Sequence, residues 1–204
     1  MPIDDESPVN RRQFFKSTFT EIAKAVLEFS GEKGKESPGK RTYLRPPGAV
    51  EEGLFNSLCT RCDECIKVCP HQCIRGSDSE TDTGARVGTP IIIPKEAACK
   101  LCTDFPCIRA CKDGALRPVG DIRKVKIGVA LIDRRRCLDY AGGQRSPCQQ
   151  CYSQCPIKDE AIYLEDSRPV VRGEKCVGCG ICENACQTVN PPSSIRVLSV
   201  TKGL

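Results

Sequence analysis

Seventeen cysteines occur in this chain of 204 residues, and sixteen of them fall into four quartets of tight, regular spacing. The first is Cys59-x2-Cys62-x2-Cys65-x3-Cys69, followed by Pro70. The second is Cys99-x2-Cys102-x4-Cys107-x3-Cys111. The third is Cys137-x10-Cys148-x2-Cys151-x3-Cys155, followed by Pro156, and the fourth is Cys176-x2-Cys179-x2-Cys182-x3-Cys186. Runs of this kind hold iron–sulfur clusters: three thiolates take one 4Fe-4S cluster and the fourth ligates a second. Four complete quartets therefore imply four 4Fe-4S clusters in two pairs, with all sixteen cysteines as iron ligands. A chain wired this way is expected to move single electrons.

Two other uses of many cysteines fit less well. Disulfides need an oxidising compartment and would leave one of seventeen cysteines unpaired. The C-x2-C-x2-C spacing also strains disulfide geometry. Structural zinc prefers two separated C-x2-C pairs per site. The rest of the composition agrees with a metal-organised fold. The 39% hydrophobic fraction includes the cysteines, and the chain has no Trp, 6 Phe and 4 Tyr. That is thin for an ordinary core of this length, so clusters and their thiolate shells are expected to supply the missing volume.

The formal charge of +5 counts cysteines as neutral thiols. Each thiolate-bound cube carries about −2, so four of them bring the loaded chain to about −3. A nucleic-acid partner is accordingly not expected, although a basic sequence would ordinarily raise one.

Residues 10–30 read as a helix. Phe15, Phe19, Ile22, Val26 and Phe29 recur at spacings of four and three and share one face, with Glu21, Lys24 and Glu28 opposite. Residues 1–30 thus form an N-terminal amphipathic helix or a degenerate twin-arginine signal. Residues 31–48, rich in Gly, Lys, Ser and Pro, read as a linker. Residues 49–204 form the cysteine-bearing body. That body repeats internally: a cysteine run, a small residue followed by an aliphatic one, a turn, then a short strand into the next run. Cys73-Ile74, Ala115-Leu116 and Ala161-Ile162 are the small–aliphatic pairs, and Pro90–Pro94, Gly128–Asp133 and Pro169–Arg172 are the incoming strands. The expected fold class is α+β, with two ferredoxin-like dicluster modules in tandem or nested.

No stretch reaches the 18 or so apolar residues needed to cross a membrane. Asn10-Arg11-Arg12-Gln13-Phe14-Phe15-Lys16 resembles a twin-arginine export signal, but charges interrupt the apolar segment behind it and no small-residue cleavage site follows. The expected location is cytoplasmic, with peripheral membrane contact through residues 10–30. Periplasmic location by twin-arginine export is the alternative.

Cys73 is the cysteine left over. It occupies the slot that Ala115 fills in the second repeat, which asks for a small buried residue. A ligand or sensor role is the alternative. His71, the only histidine, reads as an exposed turn residue, with cluster tuning as the alternative. Arg134-Arg135-Arg136 before Cys137 reads equally as a solvated strand end or a docking patch for an acidic redox partner. The sequence shows no Gly-rich phosphate loop, no Ser/His/Asp set and no nicotinamide or flavin fingerprint. The chain is therefore read as an electron carrier, not an enzyme. An assembly factor with structural clusters and a cluster-dependent enzyme are the alternatives.

The chain resembles the MauM/NapG-type ferredoxins from about residue 41 to 200. The resemblance rests on Leu44-Arg45-Pro46-Pro47-Gly48-Ala49, Cys59-Thr60-Arg61-Cys62, Gly88-Thr89-Pro90, Gly114-Ala115-Leu116 and Gly128-Val129-Ala130-Leu131-Ile132-Asp133. It continues through Cys148 to Cys155-Pro156, Asp159-Glu160-Ala161-Ile162 and Cys176-Val177-Gly178-Cys179-Gly180. It implies a polyferredoxin subunit of an oxidoreductase complex. Its implied partners are a membrane quinol-oxidising protein on one side and a cytochrome or reductase on the other. The chain departs from the family in its signal, which lacks an apolar core, in Lys112 where Pro is usual, and in a longer loop after Cys137. Resemblance to the beta subunits of molybdopterin oxidoreductases favours nested pairing, the first quartet exchanging its fourth cysteine with the last and the second with the third. Sequential pairing is the rival.

Overall fold

The computed structural model describes residues 43–78, 85–142 and 147–200, all within a compact unit spanning Arg41–Leu204. The helix expected over residues 1–30 and the linker up to residue 42 lie outside the described residues. The last part of the expected linker belongs to the body instead. Tyr43 and Leu44 are each 1% exposed, and Leu44 exchanges both backbone hydrogen bonds with Ile92, each 2.8 Å long. Their large apolar side chains are buried among the strands, which a Pro- and Gly-rich composition does not reveal.

Short elements dominate, because each quartet occupies a loop and leaves little chain for regular structure. Helix α1 (Glu52–Leu58) precedes the first quartet, and the Glu51 carboxylate caps it by accepting from Gly53 and Leu54 N–H. Helix α2 (Glu64–Lys67) carries Cys65, and the hairpin strands β1 (Arg75–Gly76) and β2 (Pro90–Ile91) lead to the second quartet. Helix α3 (Pro106–Ala110) carries Cys107 and begins with Pro, whose missing N–H costs nothing at that position. After a 3₁₀ turn (Ile122–Lys124) come β3 (Gly128–Ile132), α4 (Leu138–Ala141) and α5 (Gln150–Ser153), the last carrying Cys151. Strands β4 (Ile162–Glu165) and β5 (Arg168–Val171) lead to α6 (Ile181–Val189), and β6 (Ile195–Ser199) follows.

The pairing of these strands repeats. After the first quartet β1 pairs antiparallel with β2, and after the third β4 pairs antiparallel with β5. The segment entering the first quartet meets the segment leaving the second through an antiparallel bridge between Ala49 and Leu116. Likewise β3, entering the third quartet, pairs with β6, leaving the fourth, from Gly128↔Ser199 to Ile132↔Ile195. Each half of the body therefore closes on itself: an outer strand pair, an inner hairpin, and two cysteine runs between them. The buried core mixes aliphatics such as Leu44, Ile92, Val125 and Ile195 with the thiols of Cys69, Cys99, Cys107, Cys151, Cys179 and Cys186.

The two halves meet through the second and fourth quartets. Cys99 N–H donates to Cys179 O at 3.0 Å, and Asn184 Nδ2 donates to Pro94 O at 3.1 Å. Gly180, at φ +85°, lies so close that an added Cβ would sit 2.6 Å from Pro94 Cβ.

Candidate iron–sulfur centres

The sixteen cysteines gather into four groups, and each group mixes two runs. Cys59, Cys62, Cys65 and Cys111 ring a hollow of about 370 Å³ that also meets Phe55 and Leu116. Cys69, Cys99, Cys102 and Cys107 ring a second of about 310 Å³, and Cys137, Cys148, Cys151 and Cys186 a third of about 320 Å³. Cys155 and Cys176 interact electrostatically with each other and with Cys179 and Cys182, which makes the fourth group. Among the described residues no three Cys, His, Asp or Glu side chains converge closely enough to hold a single metal ion. Soft thiolates spaced around a small volume suit the corners of a 4Fe-4S cube, so the residues fit the group.

The thiols are therefore grouped sequentially. The fourth cysteine of the first run, Cys69, lies with the second run, and Cys111 returns to the first. Cys155 and Cys186 trade places in the same way. The nested arrangement expected from the resemblance to molybdopterin oxidoreductase beta subunits is corrected by this geometry. Its physical cause is strand pairing: each half is closed by its own outer strands, so its two runs face each other across one short core. A hydrogen bond from Thr60 Oγ1 to Asp113 Oδ2, 2.6 Å long, fastens the first run to the exit of the second.

Local backbone geometry explains why the C-x2-C loops can wrap a cube. Arg61, Asp63, Leu101, Phe105 and Gln149 all take positive φ between 41° and 61°, and Gly178 and Gly180 do so at 73° and 85°. Such left-handed residues turn successive N–H groups toward one point, a nest suited to negative charge. Several of these amides donate to the thiols themselves. Burial raises the thiols of Cys59, Cys179 and Cys155, and the amides of Arg61, Ile181 and Ile157 respectively offset part of that rise; the Cys99 thiol is held below its ordinary value by Cys73 and, against burial, by the Leu101 amide. Leu116 N–H donates to Cys111 Sγ at 3.4 Å.

Burial acts against the thiolates. It pushes the thiols of Cys65, Cys107, Cys151 and Cys179 up to about 12, with repulsion from neighbouring cysteines adding to it. Cys182 is raised well above the ordinary value for the same reasons. Charged thiolates in these places need a cationic counterpart, which iron supplies. One fixed cation also acts on the first group. Buried Arg45 stacks over Phe55 at 4.4 Å, pairs with Glu52 at 2.6 Å and offsets part of the rise that burial imposes on the Cys59 thiol.

Neighbouring groups interact in series. Cys65 interacts with Cys107, linking the first and second groups. Cys99 and Cys179 meet through their backbones, linking the second and fourth. Cys182 and Cys151 link the fourth and third, and α6 supplies Cys182 to one and Cys186 to the other. The order along the molecule is thus first, second, fourth, third, which the order of runs along the chain does not reveal.

Of the other residues singled out in the sequence, His71 is exposed at the rim of the second hollow. Arg134 lies over the Tyr140 ring at 5.1 Å, and Arg135 leans on Asp133, Nε to Oδ1 3.6 Å. The long loop after Cys137 is held where it returns, because Asp139 accepts from Cys148 N–H at 2.6 Å and Gln149 N–H at 3.0 Å. Cys73 is buried, as its match to Ala115 predicts, but it also lines the second hollow. Its Sγ lies 3.6 Å from that of Cys69. A hydrogen bond between Cys73 and Cys99 holds the Cys99 thiol below its ordinary value and the Cys73 thiol far above.

Comparison with known proteins agrees with these centres. A family profile described as a 4Fe-4S binding domain matches residues 54–75, and a second of the same description matches residues 173–189. The "Methylamine utilization ferredoxin-type protein MauM" of Methylorubrum extorquens is 42% identical over 178 residues, which cover 82% of this chain and 78% of that protein. MauM of Methylobacillus flagellatus is 39% identical over 207 residues, covering 95% and 86%. The "Ferredoxin-type protein NapG" of Escherichia coli is 36% identical over 173 residues, covering 78% and 73%. No solved structure matches. Identity at this level across most of both partners makes the chain a member of the MauM/NapG family of 4Fe-4S ferredoxin-type electron-transfer proteins.

Proposed function

We propose that this chain is an electron-relay subunit carrying four 4Fe-4S clusters in two tandem dicluster modules. The observation that carries the reading is the set of four cysteine groups, each complete with four thiols drawn from two runs and each interacting with the next. When bound, each cluster takes up and gives back one electron. The chain's own residues do the rest. The thiols hold the iron, the left-handed loops aim amide donors at sulfur, and the aliphatic core excludes water between neighbouring groups. The first and third groups stand at the ends of the series, so they are the natural points of entry and exit. Cys62 of the first group is exposed, and Arg134 to Arg136 precede Cys137 of the third. By analogy with its relatives, the chain serves a larger redox complex, between a quinol-linked donor and a cytochrome or reductase. Its location is proposed as the cytoplasmic membrane surface, with residues 10–30 making the contact.

Anaerobically purified protein is expected to contain about sixteen iron and about sixteen acid-labile sulfide per chain. It should undergo reversible reduction with no substrate turnover of its own. Stoichiometric zinc, or about eight iron, would overturn the four-cluster reading. Clusters that cannot be reduced reversibly would favour a structural role.

A further inference from the structure

Five sulfurs, not four, surround the second hollow. Cys73 is 5% exposed, its Sγ is 3.6 Å from Cys69 Sγ, and it lines the same hollow as Cys99. Cys69 and Cys99 belong to different runs and meet only at this group, so Cys73 sits at the seam between them. Packing does not explain the sulfur. The matching residues Ala115 and Ala161 are 2% and 3% exposed, so a methyl group already satisfies the slot.

The exchanged cysteines of the other groups show what the sulfur can do. Cys111 receives Leu116 N–H at 3.4 Å, Cys155 receives the amide of Ile157, and Cys186 Sγ lies 3.3 Å from Ser194 Oγ. Each has a neutral hydrogen-bond donor or a hydroxyl beside it. At Cys69 the neighbouring group is the Cys73 thiol. A thiol is a weak donor with a single proton, so it serves one sulfur at a time.

We propose that Cys73 is a potential-setting residue of the second centre, donating its S–H to the ligand sulfur of Cys69 without itself binding iron. A donor beside a ligand sulfur stabilises the more negative, reduced state, because the added electron raises the charge on sulfur. The donor therefore raises the reduction potential of that centre. The inference rests on the reading that this group holds a 4Fe-4S cluster.

The test uses full-length holoprotein as wild type, Cys73→Ala and Cys73→Ser. Iron analysis comes first, followed by potentiometric titration monitored by electron paramagnetic resonance. The signal of the second centre is identified as the one lost or converted in Cys102→Ala. Cys73→Ala should keep wild-type iron while that one signal shifts to lower potential. The one-electron equilibrium should change by up to about tenfold, or about 59 mV. Cys73→Ser, which keeps a donor, should restore the potential. Loss of about four iron in Cys73→Ala would show Cys73 to be a ligand and overturn the proposal. An unmoved potential, or a serine variant that behaves like alanine, would reduce Cys73 to packing. Wild-type protein without a cluster at this group would instead fail the underlying reading, and iron analysis separates the two failures.

Discussion

At the scale of single residues, the fourth cysteine of each run decides the wiring. Cys69 and Cys111 sit four residues after their own runs' third ligands, yet each faces the other run. This makes paired substitutions informative. Cys69→Ala with Cys102→Ala removes two ligands from one group and should cost one cluster, leaving about twelve iron. Cys69→Ala with Cys65→Ala removes one ligand from each of two groups and should damage both. Iron content and the number of resonance signals distinguish these outcomes. If Cys65 with Cys69 cost a single cluster, each run would hold its own cluster and the exchange would be wrong. Neither result is visible in the cysteine spacing, because the spacing is the same whichever cluster the fourth thiol joins.

At the scale of elements, strands and cysteine loops are locked by close backbone approach. Ile127 N–H donates to Val177 O at 3.0 Å, and the next residues come closer still. A Cβ built on Gly178 would lie 2.1 Å from Gly128 N, and Gly178 has φ +73°. Gly178→Ala thus combines a backbone clash with a strained conformation, and nothing flexible is there to yield. It should destabilise the loaded protein by about 2–4 kcal/mol, read from chemical unfolding. An unchanged midpoint would show that β3 can move away from the fourth run. The short strand after each run was legible as an aliphatic segment bounded by turns. Its partner was not, since β3 finds β6 some seventy residues later along the chain.

At the scale of the whole molecule, the core is shared between aliphatic side chains and thiols. Buried thiols with raised pKa values leave empty, uncharged pockets when iron is absent, and the remaining apolar residues are few for a body of this size. Stripping the iron under reducing conditions should therefore abolish the cooperative thermal transition, followed by circular dichroism. A sharp transition that survives in the iron-free chain would show that the aliphatic contacts suffice.

The sequence by itself determined the chemistry. Sixteen cysteines at ligand spacing, one histidine and no substrate-activating set leave thiolate–iron centres as the reading, because ligand type and loop length are local properties. It also marked Cys73 as the odd thiol, through its match to Ala115. Tertiary structure decided which thiols share a group, the series of first, second, fourth and third, and the contact of Cys73 with Cys69. These depend on which distant strands pair and on how closely two backbones pack at Gly178 and Gly180. Those are non-local choices, made when each half closes its own outer strands over its own two runs.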